Sequence, residues 1–538
     1  MLPTHSDSVV ILMMEVHTNR QEESIMKTTF KFIIAAMAAV SVFSSCQKEL
    51  ANETVNNTTG GVRTIAVQFD NSTKATLDGF TPKFANGDAI RVSNTEKSEE
   101  CTVSVDGSGN ATFTTTLSGA LTAIYPSAAA VLSSGEADAP IATSNNIKVP
   151  ASQDGDVAKA IIAKAGIADG RTSATFNVQT ALFQITPPDG VKTFTITSLK
   201  PVVNGVARTG EAVAINTDGA TDAAKLVITV SNTDLTTFYV ALKAGVNLTD
   251  LSFEYIIDAT NGLGAMKGIP AKDIAAAGKT DATAANTKYT IDNTNWHPYV
   301  EIEMTFPPDY GEPSVTRTYK WATMNIGATS ATEAGKYFMW GETTGITPSE
   351  SSFSFPDSKY YSADNNSWAQ AKGFAWENCP WTNGTYVFSS EYKVFNVFTK
   401  YVLASQTSFL AEGFAGDNKK ILDLADDAAN ANWGGSWRMP NKWEFYGLTL
   451  KGWDRTNEGC KFGTSPNQIF LPLTGTGEGT DLNRADSYGE EYLRYWTSSP
   501  SLDNPFGASH LTYAWDDIDP FMGDPRYRGH PVRALSEK

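Results

Sequence analysis

Trp433-Gly-Gly-Ser-Trp437-Arg-Met-Pro-Asn-Lys-Trp443-Glu-Phe445 holds three of the chain's twelve tryptophans in one short run. No tryptophan precedes Trp296, and the last is Trp515. So abrupt a change predicts two different kinds of core joined end to end, with the break near residue 295. Tryptophan offers a large rigid face with one polar handle, so a binding surface is sought in the later part. Within the run, Asn441 can cap a helix, with Glu444 as its reciprocal partner, Pro440 before it, and Phe445 and Leu448 as the apolar positions. Upstream, Ile421, Leu424, Ala425 and Ala428 have helical spacing and predict a helix over 417–432. Downstream, 468–473, 492–497, 510–515 and 530–534 read as strands. Helices followed by an antiparallel sheet with long loops give an α+β unit over 296–538.

The length of 538 residues suggests roughly three or four domains. Charged residues make up 19% and hydrophobic residues 41%, too apolar a balance for disorder. The net charge is −17. With no basic stripe to meet phosphates, nucleic acid is excluded as a partner. The acidity itself reads as solubility.

Residues 1–25 lack a structural pattern and read as a misassigned start, with Met26 as the true one. Met26-Lys-Thr-Thr-Phe-Lys31 is basic, and Phe32 to Phe43 is apolar but too short to span a bilayer. Ser44, Ser45 and Cys46 follow. Residues 26–45 thus resemble a bacterial lipoprotein signal, with cleavage before Cys46 and acylation of its thiol. Phe43 stands where such signals usually have Leu, a relaxation similar to that in Bacteroidetes. Gln47-Lys48-Glu49 is similar to the charged tags that send lipoproteins to the cell surface in that phylum. An uncleaved anchor and an ordinary secreted protein are the alternatives. Each buried acyl methylene would contribute about 0.8 kcal/mol, so two or more chains hold stably. Of the remaining cysteines, Cys379 and Cys460 share one composition zone and are the candidate pair, with Cys101 apart.

Residues 46–63 read as a polar tether closed by Arg63. From 64 to 295, short alternating runs recur between turn residues: Thr64–Phe69, Ala89–Ser93, Thr102–Val105, Lys192–Thr197 and Thr236–Ala241. This is the pattern of antiparallel sheets with one wet face. Only Val157 to Ala165 hints at a helix. The length is double that of one sandwich of about 100 residues, so two are expected, over 64–155 and 156–295.

Four pieces in this region resemble the fimbrillin-like proteins of Bacteroidetes: Thr73-Lys-Ala-Thr76, Phe84 to Val92, Leu121 to Ser127 and Val149 to Asp154. The resemblance implies a lipoprotein with two transthyretin-like sandwiches, in many cases a surface-pilus subunit. It also implies that a trypsin-like protease can remove a first strand by cutting after an arginine, opening a groove for a neighbour's strand. Arg63 is the candidate cut site, and a plain linker arginine is the alternative.

Seven pieces from residue 320 onward resemble the Fibrobacter succinogenes major paralogous domain: Lys320 to Ala328, Gly335 to Glu342, Asp426-Asp-Ala-Ala429, Trp433 to Pro440, Phe470 to Gly475, Tyr495 to Ser499 and Pro531-Val-Arg533. The resemblance covers about 320–535 and implies a C-type-lectin-like fold related to the formylglycine-generating enzymes. Those enzymes work through late cysteines, and none follows Cys460, so that chemistry is disfavoured. Sugar-binding C-type lectins hold calcium through Glu-Pro-Asn and Trp-Asn-Asp signatures, which are missing. Asp516, Asp517 and Asp519 offer oxygen ligands for calcium, with a solvated acidic loop as the alternative. Trp376, Asn378 and Trp381 mix aromatic faces with an amide in a turn-rich stretch and are the candidate ligand site, with core packing as the alternative. Trp340, Trp433, Trp437 and Trp496 read as scaffold, and Arg438 and Arg533 as structural pairs.

The expectation is a multidomain, surface-exposed outer-membrane lipoprotein: two all-β sandwiches, then an α+β C-type-lectin-like module. It would act as an adhesin, or as a tip or accessory subunit of a fimbrium. Its partners would be fimbrial subunits by strand exchange and a host or dietary glycan or protein. The alternative is a non-pilus glycan-capture lipoprotein.

Overall fold

This computed structural model describes residues 61–70, 81–144, 146–149, 152–153, 160–188, 193–198, 202–203, 206–207, 213–216, 226–229, 237–306, 314–349, 352–354, 373–382, 398–485, 489, 491–514 and 516–538. The signal, Cys46, Gln47-Lys48-Glu49 and most of the tether lie outside them. The described residues are mostly β, with short helices.

The first unit begins with β1 (Arg63–Phe69), β2 (Ala89–Ser93), β3 (Ser98–Thr102), β4 (Ser104–Val105), β5 (Ala111–Thr115) and β6 (Leu121–Tyr125). In β1, Ile65, Val67 and Phe69 are buried and the residues between them are exposed, as the alternation predicts. After β7 (Ser152–Gln153) come β8 (Ala163–Ile167) and β9 (Ser173–Val178). The sheet order is β3-β2-β6-β8-β9-β1-β5-β4. Strand β9 serves two neighbours: Val178 pairs with Ala163 of β8, while Ser173 to Phe176 run parallel to Ala66 to Phe69 of β1. The sheet therefore folds over itself around one buried cluster that includes Ile65, Val92, Phe113, Ile124 and Phe176.

The expected division at 155 is corrected. Strands β8 and β9 lie in the first unit, and Gln179 still donates to the Ile162 carbonyl. Ser152 and Gln153, by contrast, pair with a strand of the second unit. The chain crosses between units before it finally leaves the first near 179. The hint of helix at 157–165 is also corrected where it is described: Ala163 opens a strand, and Ile161, Ile162 and Ala165 are buried. Period alone does not separate a short, wholly buried strand from a helix.

The second unit contains β10 (Thr180–Ile185), β11 (Thr193–Ser198), β12 (Val202–Val203), β13 (Val206–Ala207), β14 (Val213–Asn216), β15 (Leu226–Thr229), β16 (Phe238–Lys243), β17 (Leu251–Asp258), β18 (Leu263–Gly268), α1 (Ala271–Ala276) and β19 (Thr287–Ile291). The small sheet β16-β10-β19 faces β11, β17 and β18 across a shared core. Phe183 meets Phe253 at 5.6 Å and Phe194 meets Phe238 at 5.0 Å.

The third unit opens with β20 (His297–Phe306), β21 (Val315–Asn325) and β22 (Tyr337–Phe338). Then come α2 (Ala428–Trp433), α3 (Lys442–Thr449), β23 (Trp453–Arg455), β24 (Gly459–Thr464), β25 (Asn467–Pro472), β26 (Thr476–Glu478) and β27 (Asp481–Asn483). It closes with β28 (Leu493–Pro500), β29 (Gly507–Ala514), β30 (Asp517–Pro525), β31 (His530–Pro531) and β32 (Arg533–Glu537). Helix α3 follows its sequence signal: the Asn441 side chain accepts from the Glu444 N–H, Glu444 returns the bond, and Phe445 and Leu448 are fully buried. The expected helix over 417–432 shrinks to α2. Ile421 and Leu424 are 54% and 40% exposed, so the spacing marked no core stripe. Instead the Asp417 carboxylate accepts from the N–H groups of Tyr401, Val402 and Lys419, holding this stretch as a loop against 401–402.

The expected break at 295 is also corrected. Strand β20 pairs antiparallel with β18, Leu263 opposite Val300 and Met266 opposite His297. One sheet thus runs β11-β17-β18-β20-β21-β32 through the composition change. The side-chain clusters do divide there, but not cleanly. Trp296 packs on Phe194 and Tyr255 of the second unit, and Met266 belongs to a cluster of the third. Buried Glu254 of β17 takes hydrogen bonds from Lys320 (2.8 Å) and Tyr299. His297 stacks on Trp433 at 3.7 Å. Gly434 and Gly435, both at positive φ, let the loop after α2 press its backbone on Gly268, where a Cβ would lie 2.2 Å from the Gly434 carbonyl carbon.

Candidate binding surface

The sequence-predicted ligand residues do not form one platform. Trp376 is half-buried against Tyr527 (5.0 Å) and Phe506 (5.4 Å). Asn378 spends its amide on the Gly373 carbonyl at 2.8 Å. Trp381 packs against a different cluster, with Lys400 Nζ 4.7 Å from its ring centroid. Its buried indole N–H has no hydrogen-bond partner among the described residues. The scaffold tryptophans lie inside: Trp340 donates to the Thr497 carbonyl (2.8 Å) and Trp496 to that of Phe338 (2.7 Å).

The three carboxylates proposed for calcium are engaged one by one. Asp516 accepts from the Tyr513 hydroxyl, Asp517 from the Ile518 N–H and Asp519 from the Phe521 N–H. Among the described residues, no three His, Cys, Asp or Glu side chains converge as a metal site. Cys379 and Cys460 are not bridged; both are buried free thiols. Burial pushes the Cys379 thiol up to about 12 and that of Cys460 to about 11. Arg438 grips both oxygens of Glu444, and Arg533 donates to Asn325 Oδ1 and to the Ala322 and Phe470 carbonyls. Arg63 is not the end of a loose tether. It is the first residue of β1, and its guanidinium donates to the Gly119 (2.8 Å) and Arg171 (3.0 Å) carbonyls.

The exposed aromatic surface lies elsewhere. With Phe445 and Leu448 facing the core, Trp443 falls off the buried stripe of α3 and is 43% exposed. It is the one exposed tryptophan among the described residues. Beside it runs β30, an edge strand with a bulge. Asp519 pairs with Thr512 and Met522 with His510, so Pro520 and Phe521 together oppose Leu511. Such a bulge re-aims side chains. Pro520, lacking an N–H, is tolerated at an edge. The Asp519 carboxylate fixes the bulge by accepting from the Phe521 N–H at 2.7 Å. Phe521 and Met522 end 39% and 50% exposed. Phe521 meets Trp443 at 4.9 Å and Tyr446 at 5.4 Å between ring centroids.

A buried polar group pins the far end of the same strand. Asp524 accepts from His530 Nε2 (2.7 Å), Arg528 (2.7 Å) and Arg494 (3.2 Å). Burial alone would raise its carboxyl. The His530 hydrogen bond and the nearby cationic groups outweigh this and hold it below the usual carboxylate range. His510 lies parallel to His530 at 5.4 Å, and burial holds it down to about 3. Phe521 and Met522 escaped the sequence reading because a bulge is a property of pairing. Trp443 was legible in principle, as a tryptophan out of phase with its own helix.

No family model and no curated protein matches the chain. Among solved structures, a candidate cell adhesion protein of Bacteroides uniformis matches 48% of this chain and 98% of its own length, at 13% identity and a TM-score of 0.27. A fimbrial protein of Bacteroides ovatus matches 88% of this chain and 98% of its own length, at 11% identity and a TM-score of 0.21. A C-terminally truncated tip fimbrial protein of Porphyromonas gingivalis matches 48% and 97%, at 8% identity and a TM-score of 0.21. Overlaps this loose carry no argument about the fold or role of this chain.

Proposed function

We propose that this chain is a cell-surface adhesin of a Bacteroidetes-type bacterium, anchored through acylated Cys46. The two front units are the support, read as transthyretin-like sandwiches. The third, read as C-type-lectin-like, is the recognition module. The observation that carries this is the surface cluster of exposed Trp443 and Phe521 on half-buried Tyr446, built beside an edge strand with a bulge. Aromatic side chains grouped at a surface are the usual anchors of recognition. The test is adhesion of beads carrying the chain from Cys46 onward to epithelial and bacterial cells. Wild type should adhere, and a Trp443→Ala, Phe521→Ala double variant of unchanged Tm should not. Equal adhesion by both would remove this surface from the function.

A second reading, a fixed capture lipoprotein that never polymerises, is favoured by Arg63. A cut after it would fall inside β1, which lies between β9 and β5, and would leave that strand in place. Intact mass of the surface protein tests the fixed anchor shared by both readings. An acylated species starting at Cys46 agrees with it, and a species starting at Thr64, which has lost Cys46, would overturn it.

A further inference from the structure

The exposed ring cluster is small. A stable protein interface takes about 20–30 residues a side, whereas this surface is three rings and a lysine. One or two sugar rings match it, because a pyranose has an apolar C–H face that stacks on indole and phenyl rings. Charge selects the sugar. In a chain of net charge −17, Lys442 stands with Nζ 5.8 Å from the centroids of both Trp443 and Phe521. It makes no ion pair with any described residue. Glu444, two residues on, is buried and held by Arg438. Asp519, on the neighbouring strand, is committed to the bulge. An ammonium lying over two exposed rings and free of an acidic partner is complementary to one carboxylate on one ring.

We infer that this surface binds an acidic saccharide. The apolar face of a pyranose lies on Trp443 and Phe521, and its carboxylate meets the Lys442 ammonium. A single carboxylate at Lys442 is largely screened from the chain's distant negative charges, since screening acts over about 8 Å at physiological salt. An anionic bilayer would meet many of those charges at once and is disfavoured. The inference rests on the adhesin reading and names the ligand class.

The test is the chain from Cys46 onward on a glycan array that pairs uronate- and sialate-bearing glycans with their neutral esters. Positive spots are followed by calorimetry, and vesicles of phosphatidylglycerol serve as the membrane probe. Wild type should favour an acid over its ester by about fivefold, the size of one exposed charge pair. Lys442→Gln should erase that preference while keeping weak binding of both. Trp443→Ala should weaken both by about tenfold, as loss of an aromatic anchor does. Thermal melts of both variants should match wild type, since neither side chain is buried. Equal affinity for acid and ester, an array without acidic spots, or binding confined to vesicles would each overturn the inference. If cells still bind wild-type beads while the array stays blank, the ligand class fails and the adhesin reading stands. If cells do not bind, the adhesin reading fails first.

Discussion

His297 and His510 are both held to about 3 by burial, and burial lowers His530 as well. In the unfolded chain each would titrate near 6.5. Between these values the unfolded state binds more protons than the native one, so stability falls as pH drops. From pH 7 to pH 5, His297 and His510 should each cost about 2 kcal/mol. Asp427 acts the other way: burial raises its carboxyl to about 6, and protonation there returns about 1 kcal/mol. These three groups together should lose about 3 kcal/mol, with His530 adding in the same direction, visible as a lower urea midpoint at pH 5. An unchanged midpoint would mean that these rings are not sealed. Single residues were legible where one local signal decides them. Trp340, Trp437 and Trp496 are inside as their scaffold reading expected, and Arg438 and Arg533 make the structural contacts expected of them. Trp376 and Trp381 were not, because residues far along the chain, such as Tyr527 and Tyr401, decide whether those rings have company.

At the scale of elements, helix α3 couples a local signal to the exposed ring cluster. Its capping box fixes the first turn, which carries both Lys442 and Trp443. Asn441→Ala should cost about 1 kcal/mol, read by urea unfolding at pH 7. Asn441→Asp should be close to neutral, because its carboxylate can accept the same N–H bonds; a comparable loss in both would show that the cap is not the source. Half-buried strands such as β1 and β2 could be read because alternation is written locally. Helix 417–432 could not, because Asp417 gives its carboxylate to backbone groups of Tyr401 and Val402, a partnership that no window of neighbouring residues contains. The bulge in β30 and the double pairing of β9 are likewise matters of register between strands.

At the scale of the whole molecule, composition reported on side chains and was silent on the backbone. The tryptophan boundary near 295 is visible in which residues cluster, yet the hydrogen-bonded ladder passes through it from β18 to β20. Residues 296–538 expressed alone would expose that edge of β20 and leave buried Lys320 without Glu254. Losing one partner of a buried pair costs about 3–5 kcal/mol. That fragment should show no cooperative thermal transition, whereas a chain that keeps the second unit should melt cooperatively. A cooperative melt of the short fragment would restore the third unit as an independent domain.

The continuous ladder also has a mechanical consequence. A sheet bonded from β17 through β21, with Gly268 set backbone to backbone against Gly434, joins the second and third units without an intervening linker. On the proposed reading, a pull on the rings around Trp443 would pass along this ladder into the second unit, so aim and anchorage would become a single mechanical property.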